Sequence, residues 1–356
     1  MNATRMAVVG CGHLGTIHAR LLAGRDDADL IAVVDPTAEA RDRVAAAHGC
    51  RPLATPGELV GLVDAVVVAA PTGLHAEVAL PLLEAGIDML VEKPLAATVE
   101  EAREIAAAAR RLGRVVSVGH VERYNPAWRS AAARAGEVSL VEARRMAPFT
   151  FRSLDVGVVH DLMIHDIDLV LSLAPGRLEG VEARGLVATG GHEDAVRARL
   201  TFDSGVVAEL SASRIAPRLE RTVALWGVGG SVAADLNAKT VEVVSPSESV
   251  RDGSFSAAAV PVAERPGLKD RFFSDILPLE QISVPDANAI AGEHDDLLQT
   301  IRSGGESQVP ATAGAAAVEV AARVLEVLEC SRFGSGRPSG RPPRVTIPLF
   351  PHRKTG

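Results

Sequence analysis

Aromatic residues are scarce in this chain. Among 356 residues there are 8 Phe, 2 Trp and 1 Tyr. Any core must therefore be filled by aliphatic side chains, and an apolar content of 47%, rich in Ala and Val, suffices for one. Cysteine is nearly absent. Cys11, Cys50 and Cys330 are scattered and odd in number, which argues against a disulfide framework, and no pair has metal-ligand spacing, so no metal is expected. Long apolar runs are missing too. The longest, near residues 59–70, is broken by Gly61 and Asp64 and falls short of the roughly 20 residues of a membrane span. Residues 1–5 run straight into a strand without a signal peptide, so a cytoplasmic protein without membrane contact is expected. Basic tracts are lacking, and a net charge of −8 argues against nucleic acid as a partner. The arginines of residues 337–344 are interleaved with Pro and Gly and read as a surface linker.

What is present is a regular alternation. Residues 6–9, 30–34, 65–69, 87–91 and 115–118 are β-branched or apolar runs that predict strands. Between them, residues 16–22, 38–48, 75–85 and 99–112 predict helices. The last of these opens with Thr98 and has Glu101 three residues on, a capping pattern, and ends at Gly113. Repeated βα units imply a doubly wound parallel sheet, and the nearly all-apolar 65–69 run suits a strand covered on both faces. The chain length suits two domains, with residues 1–122 and 123–350 as the expected division.

The first strand runs into Gly10-Cys11-Gly12-His13-Leu14-Gly15. Gly10 permits the tight turn, Gly12 lets backbone approach a pyrophosphate, and Gly15 lets helix and strand pack closely. The helix N-terminus offers free N–H groups to the phosphates. Asp35 ends the next strand about 20 residues further on, the spacing a dinucleotide fingerprint requires. Its carboxylate can accept from both ribose hydroxyls and would repel a 2′-phosphate, which favours NAD over NADP; capping the following helix is its other reading. Pro71, Thr72 and His75 follow the third strand and border the crevice where such sheets bind ligands, with an N-cap role open for Thr72. Glu92-Lys93-Pro94 ends the fourth strand at the same rim.

After Gly119 the pattern changes. His120-Val121-Glu122-Arg123-Tyr124-Asn125-Pro126 is a polar crossing into a helix near residues 127–135, where Arg123, Tyr124 and Asn125 are candidate substrate contacts or ordinary turn residues. Residues 159–173 predict a largely apolar helix whose Asp161, His165 and Asp168, at i, i+4 and i+7, share one face. A buried helix with one ionisable stripe needs a polar neighbour, and a cleft facing the cofactor domain supplies one. From residue 177 onward, runs at 181–187, 196–202, 206–213, 222–226, 231–235 and 240–244 predict a mainly antiparallel sheet. Residues 245–266 form a polar excursion, 287–303 and 311–330 predict two late helices, 334–343 a Gly/Pro/Arg linker, and 345–349 a last short strand.

The glycine turn, Glu92-Lys93-Pro94, and the run Asp161-Leu162-Met163-Ile164-His165-Asp166-Ile167-Asp168 together resemble the Gfo/Idh/MocA oxidoreductases over nearly the whole chain. The resemblance implies a Rossmann domain joined to an α/β domain with an open, mainly antiparallel sheet that often mediates oligomer contacts. It also implies Lys93 as the active-site lysine, His165 as the proton-transfer residue, Asp161 as a neighbouring carboxylate, and a cis Lys93–Pro94 peptide. The stretch from His120 to Pro126 is similar to members that oxidise the 3-hydroxyl of UDP-N-acetylglucosamine. A homo-oligomer, dimer or tetramer, is expected. On chemistry, His165 suits the general base, with a pKa expected near neutrality, Lys93 stabilises a developing alkoxide, and Asp161 orients the imidazole. A dehydrogenase of a free polyol or hexose such as myo-inositol, and a non-catalytic NAD-binding regulator, are the alternatives.

Overall fold

A computed structural model describes residues 3–151, 154, 156–332 and 338–339. The first 119 residues alternate as expected: β1 (Thr4–Val9), α1 (His13–Ala23), β2 (Ala28–Val34), α2 (Ala38–His48), β3 (Arg51–Leu53), β4 (Ala65–Val68), α3 (His75–Glu84), β5 (Asp88–Glu92), α4 (Val99–Leu112) and β6 (Val116–Gly119). The six strands pair in parallel in the order β3-β2-β1-β4-β5-β6. This is the doubly wound Rossmann order, and the order of the strands reverses between β1 and β4, where ligands sit beyond the strand ends. β3 escaped the sequence reading because three residues, two of them exposed and one a proline, carry no apolar run. Thr98 and Glu101 form the expected reciprocal cap of α4.

A turn at Val121–Tyr124 leads into α5 (Pro126–Ala132), capped by the Asn125 side chain, and β7 (Val138–Met146). A wide turn at Val159–Met163 then opens α6 (Ile164–Ser172). The strands β8 (Leu178–Val187), β9 (Ala195–Phe202), β10 (Val207–Ser213), β11 (Glu220–Gly227), β12 (Gly230–Asp235) and β13 (Thr240–Val244) follow. The 245–266 excursion contains a short helix, α7 (Glu248–Arg251); α8 (Arg265–Asp270) and β14 (Leu279–Ser283) come after it. α9 (Ala289–Ser303), α10 (Ala311–Val327), β15 (Glu329–Arg332) and β16 (Pro338–Ser339) complete the described chain. The second sheet has ten strands in the order β14-β13-β12-β11-β7-β10-β9-β8-β15-β16. Only the β7–β10 and β8–β15 pairs in it are parallel.

Two expectations are corrected, and one strand is added. The helix predicted for 311–330 stops at Val327, because Leu328 turns extended and Cys330 enters the sheet beside Gly185. β14 is an exposed edge strand with no apolar run to betray it. The cut after residue 122 does not hold for α9, which returns to the first sheet and buries Leu297 and Leu298 with Met6 and Val8. The linker expected at 334–343, apart from Pro338–Ser339, and the strand expected at 345–349 lie outside the described residues. α10 joins the two sheets, packing on α4 and β6 on one side and on α6 and β8 on the other. Among the described residues no helix is long and apolar enough to cross a membrane.

Candidate active site

The glycine turn is built for a ligand as well as for packing. Gly10 adopts φ +100°, and a Cβ there would lie 2.5 Å from the Ala69 carbonyl oxygen. A Cβ on Gly15 would lie 1.7 Å from the Gly10 carbonyl oxygen, so helix and turn are in backbone contact. A Cβ on Gly12 would meet nothing within 4 Å. Packing demands glycine at positions 10 and 15, whereas at 12 the open space lies over the N-terminus of α1, where the residues fit a pyrophosphate. His13 and Leu14 are exposed beside it, as is Pro71 at the end of β4, with Thr72 half-buried.

Asp35 is not the N-cap of α2, which is Thr37. One carboxylate oxygen accepts from the Cys11 N–H at 2.8 Å and the other from the Thr37 N–H at 2.8 Å, tying the glycine turn to the start of α2. Arg41 donates to the carbonyls of Asp35 and Pro36 at 3.2 Å. Thr72 does not cap α3, which starts after Leu74 with no side-chain cap. His75 is fully buried, with Nδ1 2.9 Å from the Pro94 carbonyl oxygen and Nε2 2.9 Å from that of Ala70. Both nitrogens are engaged, so His75 holds two rim loops together instead of meeting the cofactor. Glu92 is corrected likewise. Its carboxylate is buried against His18 Nε2 at 2.8 Å and the Lys93 N–H at 3.2 Å.

The Lys93–Pro94 peptide is cis. Lys93 Nζ crosses to the second domain and donates to the Asp161 carbonyl at 2.6 Å and carboxylate at 3.4 Å. The sequence placed Asp161 under His165; the described hydrogen bonds put it on Lys93. The reason is the wide turn at Val159–Met163, whose i→i+5 bonding shifts the phase of residues four apart. The three residues of the predicted stripe therefore meet three different partners. Asp161 holds Lys93, Asp168 is buried against Arg123 Nε at 3.0 Å, and the His165 ring stands edge-on to His120 with centroids 6.2 Å apart.

His165 is half-buried, and its buried Nδ1 has no hydrogen-bond partner. Burial first, then the charges of Lys93 and Arg145, push its pKa well below the ordinary imidazole value, correcting the expectation of a value near neutrality. The ring is held neutral, able to accept a proton. His160, on the same turn, is pushed down to about 4 by burial and Lys93. His120 was not singled out from the sequence. It is buried with both ring nitrogens unpartnered, and its pKa is lowered by burial. Its signal in the sequence is its place after β6, the counterpart of Lys93 after β5.

Behind His165 lies a buried ion network. Arg145 donates to Asp166 at 2.7 Å and to Glu122 at 2.8 Å, all three almost inaccessible. Glu193 accepts from the Val159 N–H at 3.2 Å and fills the space a Cβ on Gly157 would take, anchoring the start of the wide turn. The expected substrate contacts fare unevenly. Tyr124 is buried, its hydroxyl donating to Asp296 at 2.8 Å. The Asn125 amide donates to Glu122 and the Leu236 carbonyl, each at 2.9 Å, while its oxygen caps α5. Both are framework residues. Arg123 donates to Asp168 through Nε at 3.0 Å and to the Gln308 carbonyl through Nη2 at 3.4 Å, and its side chain is partly exposed.

Comparison with known proteins gives concordant matches. Residues 4–120 match the oxidoreductase family, NAD-binding Rossmann fold of GFO_IDH_MocA, and residues 99–233 match the GFO/IDH/MocA C-terminal domain. A UDP-N-acetylglucosamine 3-dehydrogenase from Acidithiobacillus ferrooxidans is 33% identical over 298 residues, 83% of this chain and 88% of that protein. Its solved structure superposes with a TM-score of 0.80 at 30% identity, covering 92% of this chain and 98% of that one. An inositol 2-dehydrogenase from Rhizobium meliloti is 28% identical over 343 residues, 91% of this chain and 97% of the relative.

Proposed function

The chain belongs to the Gfo/Idh/MocA family of NAD-binding oxidoreductases acting on CH–OH groups, and on that premise we propose that it oxidises the 3-hydroxyl of UDP-N-acetylglucosamine to the 3-keto sugar. The observation that carries the reading is Lys93, at the end of a Rossmann strand, held by Asp161 on the turn that opens the helix carrying His165. The length and identity of the match to a UDP-N-acetylglucosamine 3-dehydrogenase support the substrate.

In this mechanism His165, kept neutral by burial, takes the hydroxyl proton. Lys93 has three N–H donors. Two face Asp161, which leaves one for the oxygen as it gains negative charge. NAD, when bound over Gly12 and α1, supplies the acceptor for the hydride leaving the same carbon. The C–H electron pair and the O–H proton leave to different acceptors, and a ketone remains. Asp161 positions Lys93, and Arg123, paired with Asp168 and partly exposed, offers a cation to an anionic part of the substrate. The same reading makes the protein a cytoplasmic homo-oligomer, which light scattering on the purified chain tests.

The test is NADH formation and mass-spectrometric detection of the keto product with UDP-N-acetylglucosamine, beside myo-inositol, glucose and free N-acetylglucosamine. A 3-keto nucleotide sugar, lost with Lys93→Ala while NAD still binds, is the expected result. Turnover confined to myo-inositol would transfer the assignment to the polyol relatives. NAD binding without turnover on any of the four would favour a regulator.

A further inference from the structure

Behind the Lys93 turn lies a buried cluster that the mechanism above does not use. His18 on α1, Glu92 at the end of β5, and Glu293 and His294 on α9 are all essentially inaccessible. His18 Nε2 meets Glu92 Oε1 at 2.8 Å, and His18 Nδ1 meets His294 Nε2 at 2.8 Å. Among the described residues, Glu293 points into this group with neither carboxylate oxygen hydrogen-bonded, and His294 Nδ1 is also without a partner. His18, Glu92 and Glu293 each offer one ligand atom, and these atoms all lie within 4.8 Å of one another. Space has been kept for the cluster, since a Cβ on Gly119 would lie 2.9 Å from Glu92 Oε2.

We infer that His18, Glu92 and Glu293 form a site for one first-row divalent cation, with His294 as the hydrogen-bond partner of the ligating His18. Two carboxylates meet here in an interior closed to bulk solvent, and one divalent ion held by both of them and by His18 would balance their charge. Metal bonds of about 2.0–2.2 Å leave ligand atoms about 3–4 Å apart, which this cluster reaches with small side-chain shifts. The outer contact fits as well. A ligating histidine fixes its tautomer by donating from its other nitrogen, and His18 Nδ1 faces His294 Nε2 at that distance. One imidazole with two carboxylates suits Zn²⁺, Mn²⁺ or Fe²⁺ better than a thiolate-seeking ion. The ion would join α9 to α1 and to the turn that presents Lys93.

The experiment uses the full chain, produced without a histidine tag in medium containing Zn²⁺ and Mn²⁺ and dialysed against metal-free buffer. Plasma mass spectrometry should find about one ion per chain, and Glu293→Gln should lower that content roughly tenfold or more. Stripping the wild type with a chelator should lower its melting temperature, and Zn²⁺ or Mn²⁺, but not Mg²⁺, should restore it. The glutamine variant should not respond. Wild-type protein that holds no stoichiometric metal and whose melting temperature is indifferent to Zn²⁺ and Mn²⁺ would overturn the site, whatever the variant does. Metal content unchanged in Glu293→Gln would also overturn it. Neither readout depends on the substrate or on turnover.

Discussion

At the glycine turn the working groups are backbone. Gly10 and Gly15 let strand, turn and helix touch, and the amides of α1 face the open space over Gly12. At the turn and helix starting from Val159 the working groups are side chains, and each has a partner from a different part of the chain. Asp161 meets Lys93, Asp168 meets Arg123, and His165 faces His120. A backbone device is specified by residues a few positions apart. A side-chain device depends on distant partners and on helix phase, and one wide turn was enough to separate Asp161 from His165.

The largest break in this comparison is expected at His165. His165→Ala should lower kcat by about 10²–10⁴-fold while NAD affinity, a property of the other region, stays unchanged; a parallel loss of NAD binding would show that the two regions are not separable. The wild-type pH profile sharpens the same point. A base must be neutral to accept a proton, and burial with nearby cations lowers the His165 pKa. The acid limb of kcat/KM should therefore lie well below pH 6.5, and a limb at or above that value would contradict the buried, cation-flanked setting.

Within the glycine turn, two single methyl groups should behave differently. Gly15→Ala puts a Cβ into the Gly10 carbonyl and should destabilise the fold by about 1–3 kcal/mol or more. Gly12→Ala meets no protein atom, so melting should stay near wild type while NAD binding weakens roughly tenfold. Equal melting losses in the two would mean that Gly12 is there for packing alone. The smallest effect on activity is expected at Tyr124. Tyr124→Phe removes a buried hydrogen bond to Asp296 and should cost about 1.5–3 kcal/mol of stability with little change in KM; a large rise in KM would restore Tyr124 as a substrate contact.

Where the sequence read well, the information was local. Five of the six strands of the first sheet, the reciprocal cap of Thr98 and Glu101, and the glycine turn all follow from periodicity and neighbours close in the chain. Glu92, His75, Tyr124 and Asn125 stand beside functional positions, yet their polar atoms turn inward to His18, to carbonyls, to Asp296 and to Glu122. Position along the chain located them, but only their partners showed that they belong to the framework. His120 and Glu293 are the converse, polar residues whose unpartnered buried atoms become visible only once the surrounding elements are in place.

By itself, then, the sequence determined the βα alternation, the dinucleotide turn with Asp35, the order of Lys93 before His165, and the family they resemble. The tertiary structure decided which carboxylate serves which cation, the neutral state of His165, the return of α9 to the first sheet, and the buried cluster behind Lys93. The division has a physical cause. Backbone conformation is governed by torsions and hydrogen bonds that reach a few residues, whereas charge pairing and desolvation depend on groups brought within a few ångströms from anywhere in the chain.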